Sequence, residues 1–192
     1  MQERTQDGSP RYFDPASKIH VVKVLPCQLY ITEQMDEMLA TVLGSCVAAC
    51  VRDPVANVAA LNHFMLPETS QPRSTDLAAT LRYGNHNMDM LFEGLLARGG
   101  KMDRLEIKVF GGGNVTSGPA VGEENANWVL RYLQGRKLTI AAQHLGGTLP
   151  RRLHYFPATG LVLMRQLKAN AVQPGEFQAG EGRMQIRERG TK

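Results

Sequence analysis

Short runs of β-branched and aromatic residues, separated by Pro, Gly and Asp turns, make up most of the chain, and only two stretches space their apolar residues with a helical period. Together with a length of 192 residues, 43% of them hydrophobic, this predicts a single α/β domain of the α+β type. Its core is expected to be a mixed and antiparallel, sandwich-like β structure with two main helices packed on an outer face. Polar composition with Pro10 and Pro15 predicts a flexible arm over residues 1–17. The polar, Gly-rich text beyond Lys168 predicts a flexible tail over 169–192, leaving 18–168 as the folded domain.

Ile19 to Leu25 is rich in β-branched residues and reads as the first strand, with Gln28 to Thr32 resuming after the Pro26 break. Met38 to Val51 reads as one buried strand interrupted at Gly44-Ser45, closed by the turn residues Arg52-Asp53-Pro54. Val58 to Met65 is a further strand carrying His63, and Glu68 to Thr75 is a polar loop placed to form a mobile rim. Leu77, Leu81, Met88, Leu91 and Leu95 recur at helical spacing up to Gly99-Gly100, with Gly84 weakening the middle. Leu105, Ile107 and Val109 alternate with Glu106 and Lys108 as a strand leading into Gly111-Gly112-Gly113. Glu123 to Leu133 is the second helix, with Ala126, Val129, Leu130 and Leu133 inward. Leu138 to Ala142 is a strand, and Arg152–Phe156 with Leu161–Leu167 forms a hairpin around Pro157–Gly160.

The net charge of +4 comes from scattered basic residues, and aromatics make up only 6% of the chain. A nucleic-acid surface combines a basic stripe with stacking platforms, so this chain is not expected to bind nucleic acid. No segment approaches the roughly 18–20 continuous apolar residues of a membrane span, and the N-terminus lacks an apolar signal core, so no membrane insertion is expected. Three cysteines without framework spacing suit a reducing compartment, and the chain reads as cytoplasmic. The glycine triplet matches neither the Walker pattern nor the dinucleotide fingerprint, and no cofactor is expected.

The chemistry concentrates around Cys46. An apolar run stops at Gly44-Ser45, two small residues that allow a tight turn, and the thiol follows at once. Backbone N–H groups beside it suit the charge that builds on oxygen when a carbonyl is attacked, which makes Gly44 and Ser45 the candidate oxyanion residues. A free thiol is only a few per cent ionised at neutral pH, and His63 on a neighbouring strand is placed to raise that fraction. The same residue types also suit a buried thiol and a core imidazole.

At these residues the sequence resembles the CheD family of chemoreceptor glutamine deamidases. The matching text is Thr41-Val42-Leu43-Gly44-Ser45-Cys46-Val47, Asn62-His63-Phe64-Met65-Leu66-Pro67, Arg82-Tyr83-Gly84, Leu105 to Gly112, Gly146-Gly147 and Thr159-Gly160. The resemblance implies a catalytic Cys46–His63 pair with Thr41 as the nearest match for an assisting threonine, whose face depends on strand register. It also implies a hydrolase role in chemotaxis. Specific glutamine side chains of methyl-accepting chemotaxis receptors would be converted to glutamate with release of ammonia. Some members of the family bind a CheC-like phosphatase of the pathway. Cys27 after Pro26, and Ala59-Ala60, stand where the family commonly has Gly.

Two other classes compete. Cys46, Cys50 and His63, with His86, are nominal zinc ligands, but the Cys-x-x-x-Cys spacing lies in a strand without a second paired cluster, so no metal is expected. The alternative to an enzyme is a non-catalytic binding or regulatory module of the same pathway. Cys50 and Cys27 read as buried and inert, Arg151-Arg152 as a solvated strand edge, and Trp128 as a core or helix-face residue.

Overall fold

Each stretch rich in β-branched or alternating residues becomes a strand in the computed structural model, which describes residues 3–5, 8–115 and 119–168. The strands up to the first helices are β1 (Glu3–Arg4), β2 (Pro10–Asp14), β3 (Ile19–Lys23), β4 (Gln28–Thr32), β5 (Glu37–Leu43), β6 (Val47–Asp53) and β7 (Val58–His63). Helices α1 (Leu77–Leu81) and α2 (Gly84–Leu96) follow, then β8 (Glu106–Gly111), helix α3 (Val121–Gly135), β9 (Ile140–Leu145), β10 (Arg151–Phe156) and β11 (Leu161–Gln166).

The strands form two sheets, β1-β2-β3-β5-β10-β11 and β4-β7-β6-β8-β9. Pairing is antiparallel except for β3 with β5 and β8 with β9. Period-two patterning sorts the side chains between layers. Leu39 and Leu43 of β5 with Leu153 and Tyr155 of β10 face Ala48 and Cys50 of β6, Leu61 of β7 and Phe110 of β8 across the space between the sheets. The other face of the second sheet, through Val47, Ala49, Val51, Ala60 and Val109, packs on Leu91 and Leu95 of α2 and on Val129 and Leu133 of α3. Each large side chain fully buried here contributes about 1.5–3 kcal/mol relative to exposure. The result is the expected sandwich with helices on one outer face.

Several details differ from the expectations. The single strand expected over Met38–Val51 is two strands in different sheets, and Gly44-Ser45-Cys46 carries the chain from one layer to the other. The helix expected from Leu77 onward breaks at Arg82-Tyr83, because the Arg82 carbonyl accepts from Met65 N–H at 2.9 Å and Gly84 N–H donates to Leu66 O at 2.8 Å. Those two bonds tie the break to the segment following β7. A Cβ at Gly84 would collide with the Trp128 ring, so α2 can start there only with glycine. The arm expected to be flexible over 1–17 supplies β2, whose Arg11 and Phe13 pair with Val22 and His20. Its flanking prolines hid the strand, since Pro10 opens it at a position where the missing N–H is tolerated. The loop expected as a mobile rim is strapped to α2 by a two-pronged Arg73–Glu93 ion pair and by Thr69–Asn85 hydrogen bonds at 3.0 and 3.3 Å. The tail expected over 169–192 lies outside the described residues.

Candidate active site

Register places the two central side chains. Cys50 pairs with Leu61, and the same antiparallel alignment continues to Val47 opposite Phe64, which exchange backbone hydrogen bonds of 3.0 and 3.1 Å. His63 therefore stands opposite Ala48, and Cys46 one step beyond Val47 on the face that Ala48 and Cys50 share. That face looks into the space between the sheets. Cys46 and His63 are diagonal neighbours there, and at rest Sγ and Nε2 are not hydrogen-bonded.

Thr41 reaches the same space from the opposite sheet. It lies between the core residues Leu39 and Leu43 on one face of β5 and is fully buried. Its Oγ1 donates to the Val24 carbonyl at 2.7 Å and lies 2.9 Å from His63 Nδ1. With the hydroxyl proton committed to Val24, Oγ1 can only accept from the ring. This network assigns the imidazole proton to Nδ1 and leaves the Nε2 lone pair available. Nε2 is buried and has no hydrogen-bond partner among the described residues.

Burial holds both groups neutral at rest. It pushes the Cys46 thiol up to about 11, helped by the nearby Cys27 and opposed by a hydrogen bond from the Ser45 side chain. It pulls His63 down to about 4, against the Val24 carbonyl, which favours the charged ring. The expected rise in thiolate fraction is therefore not the resting arrangement. The two groups rest neutral and do not form a standing ion pair.

The backbone around the thiol is fixed from three sides. The carbonyls of Gly44 and Cys46 accept from Gly113 N–H at 2.9 Å and Gly112 N–H at 2.8 Å. The Ser45 carbonyl accepts from Asn125 Nδ2 at 3.0 Å, and the same amide donates to Met65 O at 2.8 Å. The glycine triplet is thus a clasp. Gly111 has φ +116°, and a Cβ there would collide with the Cys46 carbonyl. Arg151, expected to be solvated, is buried and donates to the carbonyls of His144, at 2.6 Å, and Gly146. The adjoining Gly147 carbonyl accepts from Asn114 N–H at 2.8 Å, which ties that loop to the clasp. Cys27, expected to be buried, is half-exposed, with its sulfur 3.3 Å from Met65 Sδ at the rim of the site. Its φ of +61° lies in the left-handed region that suits glycine.

Sequence reading placed Thr41, Gly44, Ser45, Cys46 and His63, and the fold gathers them at one end of the space between the sheets. It missed Asn125 and Arg151. A trace of Asn125 is present in the text, because it falls in line with Gly122, Ala126 and Val129 on the buried face of α3, where a polar residue calls for a partner. The nominal zinc set is not brought together. His86 is half-buried on α2 and bonds the Gln71 carbonyl, Cys50 is sealed in the core, and among the described residues no three His, Cys, Asp or Glu side chains are grouped to hold a metal.

The family model described as CheD chemotactic sensory transduction matches residues 65–166, just over half of the chain. The chain belongs to the CheD family. A protein of Rhodopseudomonas palustris named probable chemoreceptor glutamine deamidase CheD is 52% identical over 84% of this chain and 76% of its own length. Proteins with the same name from Bordetella avium and Cupriavidus pinatubonensis are 46% and 45% identical, over 83% and 82% of this chain and 71% and 74% of their own lengths. The stretch matched by the CheD model begins two residues after His63, so Thr41, Cys46 and His63 rest on their geometry. Among the described residues no helix is long and apolar enough to cross a membrane.

Proposed function

We propose that this CheD-family protein is a protein-glutamine deamidase. It hydrolyses specific glutamine side chains on the cytoplasmic helices of methyl-accepting chemotaxis receptors, using Cys46 as nucleophile, His63 as base and Thr41 as the residue that orients the ring. The observation that carries this reading is the 2.9 Å contact between Thr41 Oγ1 and His63 Nδ1, which leaves the Nε2 lone pair unclaimed. The relatives' shared name supplies the substrate class. The catalytic domain is residues 18–168, and the enzyme acts in the cytoplasm.

In this mechanism Nε2 takes the Sγ proton as sulfur attacks the carboxamide carbon, and the N–H groups of the Ser45–Cys46 turn receive the oxyanion. The imidazolium returns its proton to the nitrogen, the C–N bond breaks and ammonia leaves a thioester on Cys46. Nε2 then activates a water that cleaves the thioester, releasing glutamate and restoring the thiol. Thr41 holds the ring through both halves.

The test is ammonia release from purified receptor cytoplasmic segments, with glutamine-to-glutamate conversion read by mass spectrometry. The parent chain should convert specific sites, and Cys46→Ala should fall to the uncatalysed background with an unchanged circular dichroism spectrum. Equal conversion by both chains rules out the thiol route. A CheC-like phosphatase as second partner is suggested by the family resemblance, and competition between purified phosphatase and receptor for this chain tests it.

A further inference from the structure

Of the groups beside the reactive centre, Asn125 is the one that neither the triad nor the core explains. It is fully buried on α3, and its own Oδ1 has no partner among the described residues. Packing alone would favour an apolar residue at this point of the helix, since an idle buried carbonyl oxygen is unfavourable. Its amide nitrogen holds two main-chain carbonyls at once, Ser45 O at 3.0 Å and Met65 O at 2.8 Å. Two acceptors at one end of the side chain settle which end is the nitrogen.

The Ser45 carbonyl belongs to the peptide unit whose N–H is that of Cys46. In a trans peptide the two point in opposite directions. Fixing the carbonyl toward α3 therefore turns the Cys46 N–H away from α3. The preceding unit is held in the same manner, because the Gly44 carbonyl accepts from Gly113 N–H and its trans N–H is that of Ser45. Among the described residues, no main-chain carbonyl accepts from the Ser45 N–H or the Cys46 N–H, and the Cys46 N–H lies toward its own sulfur. Donation to a carbonyl also polarises the amide of the same peptide unit and makes its N–H a stronger donor.

We infer that Asn125 is a positioning residue for the oxyanion site: by gripping the Ser45 carbonyl it aims and strengthens the Cys46 N–H, while its bond to Met65 O keeps the strand of His63 in register with that peptide. The inference deepens the proposed thiol mechanism and rests on it for the identity of the nucleophile. Asn125 touches neither sulfur nor substrate.

The test compares two reactions of one thiol in the full-length chain. Alkylation by iodoacetamide is a direct displacement and forms no oxyanion. Acylation by p-nitrophenyl acetate passes through a tetrahedral oxyanion. Rates are measured for the parent, Asn125→Ala and Asn125→Leu, with Cys46→Ala as the blank for the other thiols. The acylation rate should fall about tenfold or more in both variants while alkylation stays within about twofold, so the ratio of the two rates carries the signature. An unchanged ratio overturns the inference, and so does a parallel fall of both rates, which is what lost helix packing would produce. If Asn125→Ala fails to fold, Asn125→Leu keeps the volume without the donors and is read alone. Failure of both to fold makes Asn125 a structural residue and also overturns it. Receptor deamidation is followed alongside: a shifted ratio in a chain that never converts receptor glutamine would remove the proposed substrate and leave the positioning role standing.

Discussion

Cys46 and Cys50 sit four residues apart on the same side of β6 and its leading turn, yet their surroundings differ. Cys50 faces Leu61 and lies within the intersheet cluster of Leu39, Phe110 and Tyr155, where burial drives its thiol far above the ordinary range. Cys46 lies where the same intersheet space opens, beside a hydroxyl–imidazole pair and a turn whose carbonyls are all held from behind. Residue type is identical, and position along the strand decides the chemistry. At the closed end the space is filled by hydrocarbon, and at the open end polar groups meet across the two sheets with one lone pair left over.

The largest way to sharpen this contrast is to exchange the fates of the two thiols. Cys46→Ala is expected to lower deamidation by at least about 10³-fold with little change in melting. Cys50→Ser is expected to leave turnover near that of the parent and lower stability by about 1–3 kcal/mol, because a hydroxyl replaces a sealed thiol. Denaturant titration and ammonia assays on both chains check the pair. Next in size is His63→Gln, expected to reduce turnover by about 10²–10⁴-fold.

The same variant tests the pH behaviour. His63 resists protonation in the folded chain down to about 4, whereas an unfolded histidine takes a proton near 6.5. As pH falls through that window the unfolded chain binds a proton that the native chain refuses, so stability declines by about 3 kcal/mol in total. Above the window this contribution is flat. His144 and His154, also lowered mainly by burial, act in the same direction. The difference between the parent and His63→Gln, followed by urea unfolding from pH 7 to pH 4, isolates the share due to His63. Matching pH slopes in the two chains would show that His63 is not held neutral.

Thr41→Val is a subtler cut at the open end. It keeps the shape but removes the acceptor for Nδ1–H, and turnover is expected to fall about 10–100-fold through loss of ring orientation, with receptor affinity unchanged. A fall in affinity with unchanged kcat would assign Thr41 to substrate binding instead. The smallest effect is expected at Cys27→Gly. Glycine accepts the left-handed backbone at that position, so the domain should gain about 1 kcal/mol. The onset of Cys46 alkylation should move to lower pH, since Cys27 is one of the groups that raise the Cys46 thiol.

Much of this architecture is written in local text. Alternation at Glu106–Val109 and the Pro157–Gly160 turn are signals confined to a few residues, and they led to β8 and to the β10–β11 hairpin. Cys46, His63 and Thr41 stood out by chemistry and by family likeness. The assignment of β5 and β6 to different layers was not legible, because an interrupted apolar run looks the same whether the chain continues in its sheet or leaves it. That one step decides which face Thr41 presents. Arg151 was misread for a related reason. Sequence marks it as a charge on a strand, and only the convergence of the loop carbonyls of His144 and Gly146 explains its burial. β2 was hidden by its polar, proline-flanked text, and its pairing with β3 is a tertiary event.

Among the described residues the chain passes between the sheets four times, and the passage from β5 to β6 spans only Gly44, Ser45 and Cys46. A tether of that length leaves no slack for either layer to melt while the other persists. Heat should therefore dissolve both in one cooperative step. Trp128, on the inner side of α3, reports on the helix-covered face of the second sheet, so its fluorescence and the far-ultraviolet signal of both sheets are expected to share a single midpoint. Two separated midpoints would mean that the crossing is looser than three residues allow.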